Sequence, residues 1–498
     1  MERDGTQGVV FPLSADGRRS TSALGKAVVA DALRRVDPAG AQGAEQEANW
    51  RSGYLAHFRH LVEAGLTSKA AALSVARDGL DSLHARMRVG WPDGAETGLI
   101  GLHTAPARAS FATLSVPGGG QQETELSLPY RGERLRGDAL ARQLETWASG
   151  GIIEPSCAQA VREVAAHPQW LRLPGQTVIA LGAGAEVGPV EQLLRWGVRV
   201  AAVDLPSPPL WERVLRMARQ GAGELLVPVN REVLDPPQPD AGDADIARYA
   251  GLNLVGQVPD AADWLAGLDG PLVLGNYVYA DGAANVAVCA AADALTARLQ
   301  SARDDVALAF LATPTDVYAV PADAVACSVR AHAARSPAAK LAGWPLHAVS
   351  GGRLLRRAYA PGADPGISDT LVAQPGPNYA LAKRLQRWRA TAAREAGTAV
   401  SLNVAPPTRT RSVTKNRILA AAYAGAHWFG AEMFEPATTR TLMAALLVHD
   451  LRAGQPAGAH PWQDEANAAA HGGLWRIAYA PRSALVLAAL LGYPAARR

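Results

Sequence analysis

From Gly175 to about residue 450, short apolar runs of strand length alternate with longer stretches of helical periodicity. TVIALGAG (177–184), VRVAAVDL (198–205), ELLVPV (224–229), GPLVLGNYV (270–278) and DVALAFLAT (305–313) read as buried strands. VEQLLRWG and NVAVCAAADALTARLQ between them read as helices. Strands that alternate with helices predict an α/β fold, a doubly wound parallel sheet covered on both faces. Residues 318–376 break this rhythm with Ala-, Pro- and Gly-rich sequence and read as an insertion.

The first 172 residues have a different texture. Residues 1–20 are polar and Gly-rich and read as loose. From Ser22 to about Met87, apolar residues recur at three- and four-residue steps, as in GKAVVADALRRV and TSKAAALSVARDGLDSLHARM. Such spacing predicts helices, and Thr67 suits an N-cap. ASFATLSV and TELSLPY then read as two strands of a hairpin with VPGGGQQE as its long loop. Helical pattern returns in GDALARQLETWASGG and SCAQAVREVAAHPQWL. The division predicted is a mainly helical region, 1–172, followed by a Rossmann-like catalytic unit, 173–498.

Composition narrows the class. Of 498 residues, 48% are apolar and 19% charged, which excludes disorder as the main state. The 49 basic and 46 acidic residues give +3, too balanced overall for a chain that coats nucleic acid or an anionic membrane. Cys157, Cys289 and Cys327 show no metal spacing and suggest a reducing, cytoplasmic location. No apolar run is long enough to span a membrane, and the first residues do not read as a signal peptide.

Two motifs carry chemistry. The first is VIALGAGAEVGP, with Gly182, Gly184 and Gly188 between a strand and a helix. Glycines permit the tight turn and the approach of phosphate, and a helix N-terminus supplies unpaired N–H groups. Asp204 ends the next strand, 22 residues after Gly182. A carboxylate there accepts both ribose hydroxyls and repels a 2′-phosphate, which favours NAD(H) over NADP(H). S-Adenosylmethionine uses a similar turn and a similar acidic residue, so this motif alone leaves both cofactors open.

The second motif is YALAK, Tyr379 to Lys383. On a helix these positions share a face, so the ammonium can stabilise a phenolate for proton exchange with an alcohol or carbonyl oxygen. A strand, AVSLNVAPP, follows, and then Thr408 and Thr410.

With these residues in their order, the chain resembles the short-chain dehydrogenases/reductases over roughly residues 176–450. The resemblance implies a Rossmann fold, NAD as cofactor, and alcohol–carbonyl interconversion with Tyr379 as acid/base and Lys383 as its aid. It assigns a substrate-binding hydroxyl to Thr313, with Thr315 and Ser368 as alternatives. It gives Asn285 a proton-relay water, Asn276 a place after the fourth strand, and Thr410 the nicotinamide carboxamide. A small-molecule substrate and a homo-oligomer are further implications, and the apolar content of the insertion points to a bulky or hydrophobic substrate.

The departures are specific. Leu181 stands at the family's Thr, Glu186 at its middle Gly, Gln257 at an adenine-binding acid, and Pro406-Pro407 at its Pro-Gly. Thr313 and Tyr379 lie 66 residues apart, so 318–376 must return the chain to the site. A fold relative that has lost catalysis and works as a binding, scaffold or regulatory protein, and a methyltransferase that uses S-adenosylmethionine, are the other readings. His57 and His60, one helical turn apart, read as surface or packing residues, and His449-Asp450 as a charge pair; no metal site is expected.

Overall fold

In the computed structural model, the residues described are 7–14, 17–232, 241–454 and 457–496. Their centre is one seven-stranded sheet. In chain order its strands are β1 (Phe111–Pro117), β2 (Thr177–Leu181), β3 (Arg199–Val203), β4 (Glu224–Asn230), β5 (Leu272–Asn276), β6 (Val306–Ala312) and β7 (Val400–Val404). Their spatial order is β7-β6-β5-β2-β3-β4-β1. β2 to β7 run parallel, and β1 closes one edge antiparallel to β4.

Every residue of β2, β5 and β7 is buried, as continuous apolar runs predict for strands covered on both faces. Alternate side chains feed two cores. Ile179, Leu181, Leu274, Phe310 and Leu402 pack under helices 21–34, 50–65, 69–86, 283–302 and 376–395. Val178, Ala180, Val200, Val273 and Leu311 pack under helices 137–149, 155–166, 208–220 and 436–453.

Two expectations for the N-terminal region need correction. ASFATLSV and TELSLPY do not pair with each other. Phe111–Pro117 joins the main sheet, with Leu114 opposite Val227, while Leu128–Tyr130 pairs with Glu133–Leu135. Local alternation identified strands, but a distant apolar edge offered β1 a larger ladder than its neighbour could. Nor is the start of the chain all loose: Gly8–Val10 pairs with Arg88–Gly90, and Val9, Val10 and Phe11 are buried. Residues 1–6, 15 and 16 of that stretch lie outside the described residues. Across the boundary expected near residue 172, the N-terminal helices share a core with β2 and β5.

The insertion does return the chain. Val317–Val320 leaves β6 almost at once and pairs antiparallel with Gly366–Asp369. Thr370 then donates its hydroxyl to the Pro314 and Asp316 carbonyls. The helix Gly376–Glu395, which carries Tyr379 and Lys383, therefore starts beside the end of β6.

Candidate active site

The carboxyl ends of β2, β5, β6 and β7 lie side by side, with Leu181 opposite Asn276, Asn276 opposite Phe310, and Ala312 opposite Val404. Neighbouring strands are about 4.8 Å apart, so the end of β6 is roughly 10 Å from the glycine turn after β2.

The turn after β2 is shaped by Gly182, whose φ of +81° suits a residue without a side chain. A Cβ there would fall 3.0 Å from the Tyr277 carbonyl oxygen, so the chain leaving β5 presses against the turn. Many of the turn's N–H groups are used internally. Those of Gly182 and Ala183 reach the Val203 carbonyl, that of Ala185 reaches Gly182, and that of Gly188 reaches Ala185. The following helix starts where VEQLLRWG reads as helical, and it is short. It begins only at Val190 and is six residues long, because Pro189 sets its start and a further turn separates it from the glycines. Its dipole is correspondingly small.

Asp204 lies at the end of β3, as expected, and faces the turn. One carboxylate oxygen accepts the Gly184 N–H at 2.8 Å and the other accepts the Leu205 N–H at 2.8 Å. Burial raises its pKa, and these two bonds oppose the rise. Each oxygen retains a further lone-pair direction. Arg213 lies beside it and donates to the Gly184 carbonyl at 2.9 Å.

Glu186, the departure at the family's middle glycine, is held away from the turn. Its carboxylate accepts the Arg411 N–H at 3.0 Å, and its carbonyl accepts from Arg440 at 3.1 Å. The loop after β7 thus closes over the turn. Thr410 begins the short helix Arg411–Lys415, and its hydroxyl meets Ser412 at 2.9 Å. Pro406 accepts from Thr408, whose hydroxyl also meets Thr439 at 2.7 Å.

At the end of β6 the Thr313 and Thr315 hydroxyls are 2.8 Å apart, and both act on the Tyr379 phenol. Burial pushes the Tyr379 pKa up, and the two threonines pull it back. The Tyr279 ring meets the Tyr379 ring edge-on at 6.3 Å, and Tyr423 lies close enough for its charge to feel Tyr379. The 66-residue gap is thereby bridged between Thr313 and Tyr379. Ser368, the alternative hydroxyl, is instead buried in the insertion's strand opposite Tyr318.

Lys383 does not act on the phenol as the i, i+4 spacing suggests. Its ammonium donates to the Leu311 carbonyl at 3.3 Å and to Gln386 Oε1 at 3.1 Å, and burial lowers its pKa. Gln386 in turn donates to Asn276 at 3.1 Å. A shared helix face brings two side chains near; the acceptors at the strand ends decide where the longer one points. Asn285 is buried, and its Oδ1 accepts the Ala280 N–H at 3.1 Å, so it anchors the loop after β5. Gln257 accepts the Asn253 N–H.

No protein-family profile matches the chain, and no curated protein matches it.

Sequence reading missed the clamp behind the site. Asp316 follows Thr315 and is fully buried between Arg384 and Arg387, each at 2.6 Å. Arg387 also pairs with Glu465 at 2.5 Å. Both arginines project from the Tyr379 helix, so the clamp fixes the threonine turn to that helix. The residues were visible in YALAKRLQRWR, but nothing local named their partner. His57 and His60 face Glu47 and Asp37, while His449 lies between Glu163 and Asp450. Among the described residues, no cluster of His, Cys, Asp and Glu is arranged to hold a metal.

Proposed function

We propose that the protein is an NAD(H)-linked oxidoreductase that interconverts an alcohol and a carbonyl, built on a Rossmann-like fold. Taken in chain order, the six parallel strands have the 3-2-1-4-5-6 arrangement of dinucleotide-binding sheets, with the glycine turn at the switch point. The observation that carries the reading is the meeting of Tyr379 with Thr313 and Thr315 at strand ends beside that turn.

The residues fit a dinucleotide. Asp204 retains acceptor capacity toward ribose hydroxyls and stands as a negative charge against a 2′-phosphate, which favours NAD over NADP. Glu186 is drawn off by Arg411, which removes a carboxylate from the neighbourhood of a pyrophosphate. Gly182, Gly184 and Gly188 shape the turn, with Asn276 and Thr410 flanking the nicotinamide end. NAD, when bound, supplies hydride transfer. Tyr379 gives or takes the substrate oxygen's proton. Thr313 and Thr315 stabilise its phenolate and orient the substrate oxygen. Lys383 and Gln386 brace the floor between β5 and β6, and Asn285 holds the loop above them.

The second reading is a fold relative that binds nucleotide without turnover. The engagement of Lys383 with Leu311 and Gln386, rather than with Tyr379, favours it. A panel of secondary alcohols with NAD, read by the absorbance of the reduced nicotinamide, separates the two. The oxidoreductase reading predicts turnover that Tyr379→Phe abolishes. Nucleotide binding without turnover on any substrate favours the second reading, and full turnover by Tyr379→Phe removes the catalytic assignment.

A further inference from the structure

Three segments form one cap beside the site. The helix Arg417–Gly425 and the helix Pro481–Ala496 touch backbone to backbone: a Cβ on Gly425 would lie 2.0 Å from the Ala488 oxygen, and one on Gly492 would lie 2.0 Å from the Ala421 oxygen. The insertion joins them through the Leu355 and Arg356 N–H groups, which donate to Ser483, and the Ala480 N–H, which donates to Arg356.

This cap exposes apolar side chains that a water-facing surface does not need. Of fifteen large apolar residues exposed among those described, ten lie in it. Ile418, Trp428, Val486, Leu490 and Leu491 project from the two packed helices and the turn that follows the first of them, and Trp344 from the insertion. Trp344 is 75% exposed, Trp428 67% and Leu490 65%. Val486 and Leu490 stand one turn apart on the same helix face.

The charges carried by these segments have a single sign, although Arg482 pairs with Asp369 and Arg409 with Glu435 at their edges. Residues 326–361, 409–431 and 477–496 hold eleven basic residues and no Asp or Glu. At the chain's average composition, about seven acidic residues would fall there. The rest of the chain has 38 basic and 46 acidic residues, or −8. The near-neutral total therefore conceals an excess of basic residues in these segments. Arg411 and Lys415, on the short helix Arg411–Lys415, and Arg417, which begins the next helix beside Ile418, are exposed, with no ion pair among the described residues.

We infer that this cap docks on an anionic lipid surface. Large apolar side chains and tryptophans enter the boundary between headgroups and acyl chains, while the surrounding arginines and lysines meet lipid phosphates. The rim of a protein interface normally carries both signs of charge, and the aliphatic face of Val486, Leu490 and Leu491 has no counterpart on a nucleic acid backbone. Among the described residues no helix is long and apolar enough to cross a membrane, so attachment is peripheral. The helix that presents Ile418 also carries Tyr423, beside Tyr379. On the oxidoreductase reading, the substrate is then an amphipathic alcohol or carbonyl drawn from the lipid surface.

Vesicle co-sedimentation of the full chain, without cofactor or substrate, tests the docking separately from the chemistry. Phosphatidylcholine vesicles that include phosphatidylglycerol should bind the protein, and pure phosphatidylcholine should bind it at least about tenfold less, as should either surface at high salt. Leu490→Asp with Leu491→Asp, and separately Lys415→Glu with Arg417→Glu, should each weaken binding about tenfold or more while leaving the circular-dichroism melt unchanged. Quenching of tryptophan fluorescence by brominated acyl chains, relieved by Trp344→Phe with Trp428→Phe, is a second readout. The inference is overturned by absence of binding to anionic vesicles at low salt, or by binding that neither paired variant weakens. Equally tight binding to soluble polyglutamate would assign the cap to an acidic protein. A dimer that Leu490→Asp with Leu491→Asp dissolves, with no vesicle binding, would assign it to a second copy of the chain.

Discussion

At Tyr379, burial and two threonine hydroxyls act in opposite directions on the same proton. A general acid/base contributes about 10²–10⁴ in rate, so Tyr379→Phe should lower turnover by at least about a hundredfold while nucleotide binding persists. Isothermal titration beside the turnover assay checks both halves. Asp316 faces Arg384 and Arg387 in a fully buried pair of bridges. Its removal leaves the buried Arg384 guanidinium without its carboxylate, while Arg387 keeps Glu465, a loss of about 3–5 kcal/mol by analogy with other broken buried pairs. Urea unfolding of Asp316→Ala should show that loss as a lower midpoint at nearly unchanged slope. Single residues were legible where the chemistry is local: Asp204 faces its turn because it ends the strand next door. They were illegible where the partner comes from another segment, as Leu311, Gln386 and Asp316 show.

Strands and helices were legible from periodicity, and pairing was not. All six strands from β2 to β7 coincide with apolar runs, since burial on both faces demands such runs. β1 was recognised as a strand but assigned to the wrong neighbour, because alternation does not encode which ladder a strand joins. The helix after the glycine turn starts at Val190, where VEQLLRWG reads as helical, and ends at Arg195, two residues short of the glycine that closes that stretch. At the contact between the helix Lys69–Arg86 and the Tyr379 helix, Gly79 admits the Trp388 ring: a Cβ there would lie 2.3 Å from it. Gly79→Val should therefore destabilise by about 2 kcal/mol or more, despite removing a helical glycine. A thermal melt measures the loss, and pairing with Trp388→Leu should recover part of it.

Across the whole molecule, Glu154 ties three regions together. It precedes the helix Pro155–Ala166, accepts from His471 at 2.8 Å and from Arg476 at 2.6 Å, and Arg476 reaches Asp323 of the insertion. Burial would raise its pKa, but the bonds from His471 and Arg476 outweigh burial and bring it to about 2. A carboxylate whose folded pKa lies below its unfolded value stabilises the fold above the unfolded pKa and loses that contribution as pH falls toward about 2. The contribution is on the order of 3 kcal/mol. Glu154→Gln should flatten the acid limb of stability between about pH 5 and 2, as read by denaturant unfolding across that range. At this scale the central claim is that the glycine turn, Asp204 and Tyr379 belong to one nucleotide site. Its most direct test is thermal shift of the full chain against NADH, NADPH and S-adenosylmethionine, with Asp204→Ala in parallel. NADH at about 100 times its dissociation constant should stabilise the protein by about 2.7 kcal/mol, NADPH less, and Asp204→Ala should lose the difference. No shift with either nicotinamide nucleotide, or a shift with S-adenosylmethionine alone, would contradict it.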